Sequence, residues 1–295
     1  MSPMIASLGL GTVQFGLEYG ISNEAGKVNA EAVKNLLNRT AELEIKILDT
    51  AYLYGDSEQV LGGQNLALFN VVTKTPHFNV SQITDEHASS LKSSFYTSLT
   101  RLNVHGVYGL LIHNANDLLM PGGEKLFKAM QELKVKGLIT KIGVSIYDSQ
   151  QVELILNRFD IDLVQIPMNV LDQRLVIGGQ MSKLKEKNIE VHVRSVFLQG
   201  LLLMALDDLP QYFQPIVPLL KGWHAAAKEQ GFTLLEAALC YIRDLTGVDV
   251  VLVGVENAQQ LNDCAEAFAK NKSFDATDLN CDDPQFVNPA LWQNI

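Results

Sequence analysis

The feature that most constrains this chain is a set of eight short runs, most of them apolar nearly throughout. They are Ile5–Leu10, Ile45–Asp49, Asn70–Lys74, Val107–His113, Ile139–Val144, Leu163–Ile166, Glu190–Arg194 and Val248–Val253. A half-solvated strand alternates apolar with polar residues. Runs without that alternation belong to parallel strands covered on both faces. Helical spacing fills the gaps between them. Val33, Leu36, Leu37 and Thr40 recur on one helical face, as do Leu91, Phe95, Leu99 and Leu102, and later Leu261, Ala265 and Phe268. Asp148 with Gln151, and Thr233 with Glu236, have the spacing of a capping box where helices should start. Phe213–Lys228 and Leu234–Leu245 both read as helical, which places an extra helix after the seventh strand. Eight strands alternating with helices predict an α/β protein of the (β/α)8 TIM-barrel class, with a doubly wound open sheet as the alternative. No linker, repeat or low-complexity tract divides the chain, so a single domain is expected over 1–295, ending in an irregular arm over 270–295.

Composition narrows the function. Of 295 residues, 47 % are hydrophobic and 19 % charged, which excludes a disordered or fibrous chain. Thirty-three acidic residues against 23 basic ones give a net charge of −10, so nucleic acid and anionic membrane are poor partners. The longest mostly apolar stretch, Val196–Leu206, is interrupted by Gln199 and is too short to span a bilayer. Met1-Ser2-Pro3-Met4 lacks the basic start and apolar core of a signal peptide. Cys240, Cys264 and Cys281 are few, odd in number and far apart, which fits a reducing cytoplasm with neither a disulfide frame nor a zinc pattern. The expected location is cytoplasmic.

Several familiar motifs fail. Gly9-Leu10-Gly11-Thr12 follows the first strand, but Gln14 replaces the third glycine of a Rossmann loop and no helix pattern starts there. Gly11 and Gly16 have phosphate-loop spacing, but Leu17-Glu18 stands where Lys and Ser or Thr are needed. His192 and Arg194 on strand seven cannot form the His-x-His pair of a metal-dependent hydrolase, and no metal is expected. The ends of strands four and seven carry His113 and Arg194 rather than the paired carboxylates of a glycosidase.

One constellation remains. Strand two ends in Asp49, strand three in Lys74 and strand four in His113. The carboxyl ends of barrel strands form the face where chemistry is done. Tyr54, five residues after Asp49, can arch over the same mouth. Taken singly, the Asp reads as a cap, the His as a core residue, the Lys as solvated and the Tyr as packing. Their joint placement on one face outweighs those readings. A tyrosine hydroxyl, ordinarily near pKa 10, is too weak an acid at neutral pH. A neighbouring ammonium stabilises phenolate, so Lys74, held by Asp49, is expected to lower the Tyr54 pKa. His113 would orient a carbonyl oxygen toward Tyr54, giving an acid that protonates that oxygen as hydride reaches the carbon.

These residues resemble the aldo-keto reductase superfamily. The matching segments are Gly9-Leu10-Gly11-Thr12, Leu48 to Gly62, Val72-Thr73-Lys74, Leu111-Ile112-His113, Gly143-Val144-Ser145, Val164-Gln165 and Val251 to Leu261. The segment 11–20 is similar to a bacterial branch often found among surface-polysaccharide genes. The resemblance implies a (β/α)8 barrel that binds NADP(H), with NAD(H) as the alternative, without a Rossmann domain. It implies Tyr54 as general acid, with Asp49, Lys74 and His113 completing a tetrad. It further implies Ser145 and Gln165 at the nicotinamide carboxamide, and Gly11 and Thr12 near its ribose. Ser195, Phe197 and Gly200 fall in the loop around the pyrophosphate, Arg194 takes the position stacking on the nicotinamide, and Gly254 and Gln260 fall at the adenosine end.

Three departures stand out. Ile146 follows Ser145 where the family commonly has Asn. Arg194 ends strand seven where many members carry a tyrosine. Gly254, Gln260 and Cys264 offer no cation for a 2′-phosphate, which Lys221, Lys228, Lys270, Lys272 or backbone donors near Glu256-Asn257 would then have to bind. Pocket walls are expected from Val13, Tyr52, the loop Asn114 to Gly123 and the C-terminal arm. The expected partner is a small carbonyl or alcohol, and the family default is a monomer, with a weak oligomer as the alternative. Two other functions compete: a cofactor-binding redox sensor without turnover, and a Schiff-base lyase using Lys74.

Overall fold

The structure, a computed structural model, describes residues 6–23 and 26–292. Ile5, the Met1–Met4 segment and the end of the arm beyond Trp292 lie outside the described residues.

Eight strands close into a barrel in sequence order. They are β1 (Ser7–Gly11), β2 (Ile47–Asp49), β3 (Asn70–Lys74), β4 (Val107–Ile112), β5 (Ile139–Ser145), β6 (Leu163–Pro167), β7 (Glu190–Arg194) and β8 (Val250–Gly254). Every pairing is parallel, and β8 closes on β1 with Gly11 beside Gly254. The open-sheet alternative is thereby excluded. β2 starts at Ile47 rather than Ile45 because the Ile45 amide donates to Thr40 O at 3.0 Å, finishing the preceding helix instead of joining the ladder.

The apolar residues divide into two sets. Ile47, Val72, Leu111, Leu163, Val250 and Leu252 pack together inside the barrel. The larger core lies between the barrel and its helices. The helix Ala30–Glu42 is capped by Asn29 and buries Val33, Leu36, Leu37 and Thr40, the face its spacing defines. The helix Asp85–Leu102 buries Leu91, Phe95, Leu99 and Leu102. Thr233 and Glu236 form the reciprocal capping box, at 2.8 and 3.2 Å. Asp148 and Gln151 form half of one, since Gln151 Oε1 accepts from the Tyr147 amide instead.

Strand geometry then decides what reaches the mouth. Side chains alternate between the two faces, so residues two apart share a face. Two positions beyond Ile47, Val72, Leu111, Leu163 and Leu252 lie Asp49, Lys74, His113, Gln165 and Gly254. Gly11, Ser145 and Arg194 hold the same inward position on β1, β5 and β7.

After β7 come short 3-10 turns, then helices Val217–Glu229 and Leu234–Asp244, and after β8 the helix Ala258–Phe268. The arm is less irregular than expected. It contains single turns at Pro284–Val287 and Pro289–Leu291, and Trp292 packs edge-on against Phe213, with ring centroids 4.9 Å apart. Among the described residues no helix is long and apolar enough to cross a membrane.

Candidate active site

Tyr54 lies in the turn between β2 and the short helix Ser57–Gly62. Close backbone packing fixes that turn. Gly16 and Gly55 face each other without side chains: a Cβ on Gly16 would stand 1.8 Å from Tyr54 O, and one on Gly55 2.3 Å from Gly16 O. Gly55 also has φ +55°, which glycine adopts at little cost. Ser57 Oγ donates to Thr12 O at 2.8 Å and lies within 3.1 Å of Thr50 Oγ1, while Thr12 Oγ1 donates to Asp49 O at 2.9 Å. The turn carrying Tyr54 is thus tied to the ends of β1 and β2.

Beneath Tyr54 lies a buried ion pair. Lys74 Nζ donates to Asp49 Oδ1 and Oδ2 at 2.9 and 2.7 Å, to Thr50 O at 2.9 Å and, more distantly, to Tyr54 OH at 3.4 Å. Gln165 Nε2 adds a 2.7 Å bond to Asp49 Oδ1. The His113 ring stands edge-on to Tyr54, with centroids 5.8 Å apart. Because Tyr54 OH accepts from Lys74, its own proton is free to point into the cavity.

The electrostatics differ from the expectation in one respect. Burial, and then the Asp49 charge, hold the Tyr54 pKa well above its ordinary value, with Arg194 pulling the other way. Lys74 does not lower it in this state, because its charge is met by Asp49 at 2.7 Å while the phenol lies at 3.4 Å. Burial also lowers the Lys74 pKa, opposed by Asp49. Burial, followed by the Lys74 charge, pushes His113 down to about 2. At neutral pH the mouth therefore presents a neutral phenol and a neutral imidazole.

A cavity of about 600 Å³ opens above these groups. Gly11, Thr12, Asp49, Tyr54, His113, Ser145, Gln165, Arg194, Ser195, Phe197, Gly200, Gly254 and Gln260 all line it, and Lys74 lies beneath. Val13 and the arm residues Asn288, Pro289 and Ala290 contribute as expected. Tyr52 and the loop Asn114 to Gly123 do not: Tyr52 turns away, under the Arg101 guanidinium at 4.5 Å. Ile146 is fully buried in the core outside the barrel, so the position after Ser145 contributes no polar side chain.

Sequence reasoning missed Gln14, Tyr19 and Tyr147, which also line the cavity, while Gln199 falls within the expected loop Ser195 to Gly200. Gln14 projects from a 3-10 turn, Val13–Phe15, that has no apolar periodicity to announce it. Tyr19 and Gln199 come from two loops that meet over the barrel mouth. Gln199 O accepts from the Ile21 amide at 3.1 Å, and Gln199 Nε2 lies 3.3 Å from Tyr19 OH. Ser195, Leu198 and Gln199 all have left-handed backbone, with φ of 60°, 49° and 56°. Such conformations cost about 1–3 kcal/mol each and concentrate at ligand clamps.

Two buried acceptors bear on what the cavity holds. Gln165 Oε1 and Gln14 Oε1 have no hydrogen-bond partner among the described residues. Ser145 and Gln165 are register partners on β5 and β6. A flat ring bearing a carboxamide fits there, its N–H donors meeting Gln165 Oε1. At the far end Glu256, Gln260 and Asp263 line the cavity. The Glu256 amide donates to Gln260 Oε1 at 2.8 Å and the Gln260 amide to Asn257 Oδ1 at 2.9 Å, so these two backbone donors are not free for a phosphate. Lys221, Lys228, Lys270 and Lys272 do not line the cavity, and Lys270 pairs with Glu236 at 2.8 Å.

A closed parallel barrel with an Asp, Lys, His and Tyr cluster at its carboxyl end matches one class of protein. The chain belongs to the aldo/keto reductase family, whose model matches residues 7–280. Its fold is similar to that of the aldo-keto reductase AKR11C1 from Bacillus halodurans. In the holo form the TM-score is 0.73 at 21 % identity, covering 92 % of this chain and 89 % of that one. In the apo form it is 0.70 at 22 % identity, covering 92 % and 88 %. No curated protein matches the sequence. Membership of that family makes the chain an oxidoreductase acting on carbonyl compounds.

Proposed function

We propose that this chain is a nicotinamide-dependent reductase of aldehydes or ketones in which Tyr54 is the proton donor. The observation that carries the reading is the Tyr54 hydroxyl, held by Lys74 at 3.4 Å beside neutral His113, at a cavity also lined by Gln165, whose buried Oε1 has no partner among the described residues. The reduced dinucleotide, when bound, supplies the hydride. His113, neutral, holds the substrate oxygen near Tyr54. As the carbonyl carbon takes the hydride, its oxygen takes the Tyr54 proton, and the product is an alcohol. The phenolate left behind gains the Lys74 ammonium as its nearest charge, and solvent returns the proton. Lys74 thus acts on the phenolate as it forms rather than on the resting phenol.

Lys74 does not itself line the cavity and is held by Asp49, which argues against a Schiff-base role. The arm reaching the same cavity supports reading the chain as one unit. At the adenosine end Glu256 and Asp263 repel a 2′-phosphate and suit a ribose hydroxyl, so NADH is the preferred dinucleotide, contrary to what the family resemblance implies.

A carbonyl panel with NADH and NADPH tests this. Turnover with NADH is expected, and Tyr54→Phe should cut it by about two to four orders of magnitude. Dinucleotide affinity should stay within about threefold of the wild type, well under the tenfold that 1.4 kcal/mol represents. Near-normal turnover in Tyr54→Phe would remove Tyr54 as the acid. A strong preference for NADPH would place a phosphate site elsewhere.

A further inference from the structure

One charge at the mouth neither gives nor takes the transferred proton. Arg194 ends β7 beside Pro167, the residue two beyond Gln165, and its side chain takes the inward position that Gln165 takes on β6. The guanidinium lies 4.3 Å from the centroid of the Tyr147 ring. Its polar contacts are long, 3.3 Å to Ser195 Oγ and 3.5 Å to Ile146 O. Among the described residues no carboxylate pairs with it. The other charges at this end cancel, since Asp49 is matched by Lys74, and Tyr54 and His113 are neutral. Arg194 therefore leaves one uncompensated positive charge in a half-enclosed site.

We propose that Arg194 makes the site select the reduced dinucleotide over the oxidised one. The inference rests on the function proposed above. A ring whose carboxamide is anchored at Ser145 and Gln165 lies against the side chain of the next strand, which is Arg194. A guanidinium stacks well on an uncharged planar ring. The oxidised nicotinamide ring is cationic, and two like charges a few ångströms apart in a half-buried site repel. The reduced ring carries no charge and incurs no such repulsion. The net effect is tight binding of the hydride donor and rapid loss of the spent form. The site would then stay loaded for reduction in a pool rich in oxidised dinucleotide. The overall equilibrium between carbonyl and alcohol is unchanged, because the bias acts on binding.

The test is fluorescence titration of the full chain with NADH and with NAD+, in the wild type, Arg194→Gln and Arg194→Lys. Circular dichroism and melting temperature would establish that each variant is folded. The wild type should bind NADH at least tenfold more tightly than NAD+. Arg194→Gln should bring the two affinities within about threefold, chiefly by tightening NAD+. Arg194→Lys keeps the charge without the flat fork and should retain most of the selectivity. A wild-type ratio near one, or a ratio unchanged in Arg194→Gln, overturns the inference and leaves the proposed reductase intact. Failure of the wild type to bind either form overturns both.

Discussion

The barrel contains two lysine–carboxylate clusters, a buried one at the mouth and a half-buried one at the floor. At the mouth, Lys74 binds Asp49 beneath Tyr54. At the floor, Glu190 of β7 accepts from Tyr108 OH at 2.7 Å and from His192 Nε2 at 2.6 Å, and pairs with Lys141. The residue types are nearly the same: an acid, a lysine, a histidine and a tyrosine. Their connections differ. At the floor every polar tip turns inward onto Glu190. Because that carboxylate only accepts, His192 must carry its proton on Nε2, and only its Nδ1 is left without a partner among the described residues. At the mouth Tyr54 and Gln165 line a cavity, and the buried Gln165 Oε1 has no partner among the described residues. The comparison indicates that residue types alone do not make a catalytic cluster. Position at the carboxyl ends of the strands, and side chains that line a cavity, distinguish the two.

The largest expected effect comes from removing the mouth pair as a unit. Lys74→Met alone would strand the buried Asp49 charge, at a cost of about 3–5 kcal/mol. The double variant Asp49→Asn/Lys74→Met leaves no buried charge, so its stability should lie within about 1–2 kcal/mol of the wild type. Its turnover should nevertheless fall by about two to four orders of magnitude, because the phenolate loses its ammonium. Urea unfolding and steady-state assays on the same preparation would measure both. Turnover that survives would make the mouth pair structural, like the floor, and erase the distinction.

The floor should behave in the opposite way. Burial raises the Glu190 pKa, but hydrogen bonds from His192, Lys141 and Tyr108 outweigh it and bring the value down to about 2. A carboxylate whose folded pKa lies below its unfolded value of about 4.3 stabilises the fold fully above that value, and loses the contribution as pH falls toward 2. Glu190→Gln should cost about 2–3 kcal/mol at pH 7 and shrink the stability lost between pH 5 and 3. Turnover at pH 7 should stay within about threefold, less than half of the 1.4 kcal/mol that a tenfold change represents. A large fall in turnover without loss of stability would show that the floor communicates with the chemistry.

How far the sequence revealed each cluster follows from geometry. The mouth was legible because Asp49, Lys74 and His113 each end an apolar run, and strand ends converge in any parallel barrel. The floor was not. Glu190 and His192 share a strand with Arg194, and Lys141 stands two residues into β5, so nothing in the spacing links them until the barrel closes. Loop contributions were equally hidden. Tyr19 and Gln199 are 180 residues apart and meet only because Leu198 and Gln199 adopt left-handed backbone, which no apolar period encodes. The expected lowering of the Tyr54 pKa failed for a similar reason. The order of residues placed Lys74 near the phenol and Asp49 on Lys74, but did not reveal that burial and the Asp49 charge would outweigh the ammonium.

A last effect separates the two ends by pH. His113 titrates only near 2 in the folded protein, because burial and then the Lys74 charge oppose its protonation. In the unfolded chain a histidine takes up its proton near 6.5. A folded value below the unfolded one makes the contribution complete above about pH 6.5, and it drains away as the pH falls. The mouth should therefore begin to lose stability near pH 6.5, and the floor only near pH 4.3. His113→Gln should flatten the first limb and Glu190→Gln the second, with each limb untouched by the other substitution because the groups lie at opposite ends of the barrel. Turnover should tell a different story. With His113 neutral and Tyr54 protonated, kcat/KM should vary by less than about threefold between pH 6 and 8, since neither group changes charge there. A sigmoidal fall in kcat/KM centred near pH 6.5, absent in His113→Gln, would mean that His113 does take a proton in the working enzyme. The neutral mouth, and with it the contrast between a cluster open to a cavity and one closed on itself, would then need redrawing.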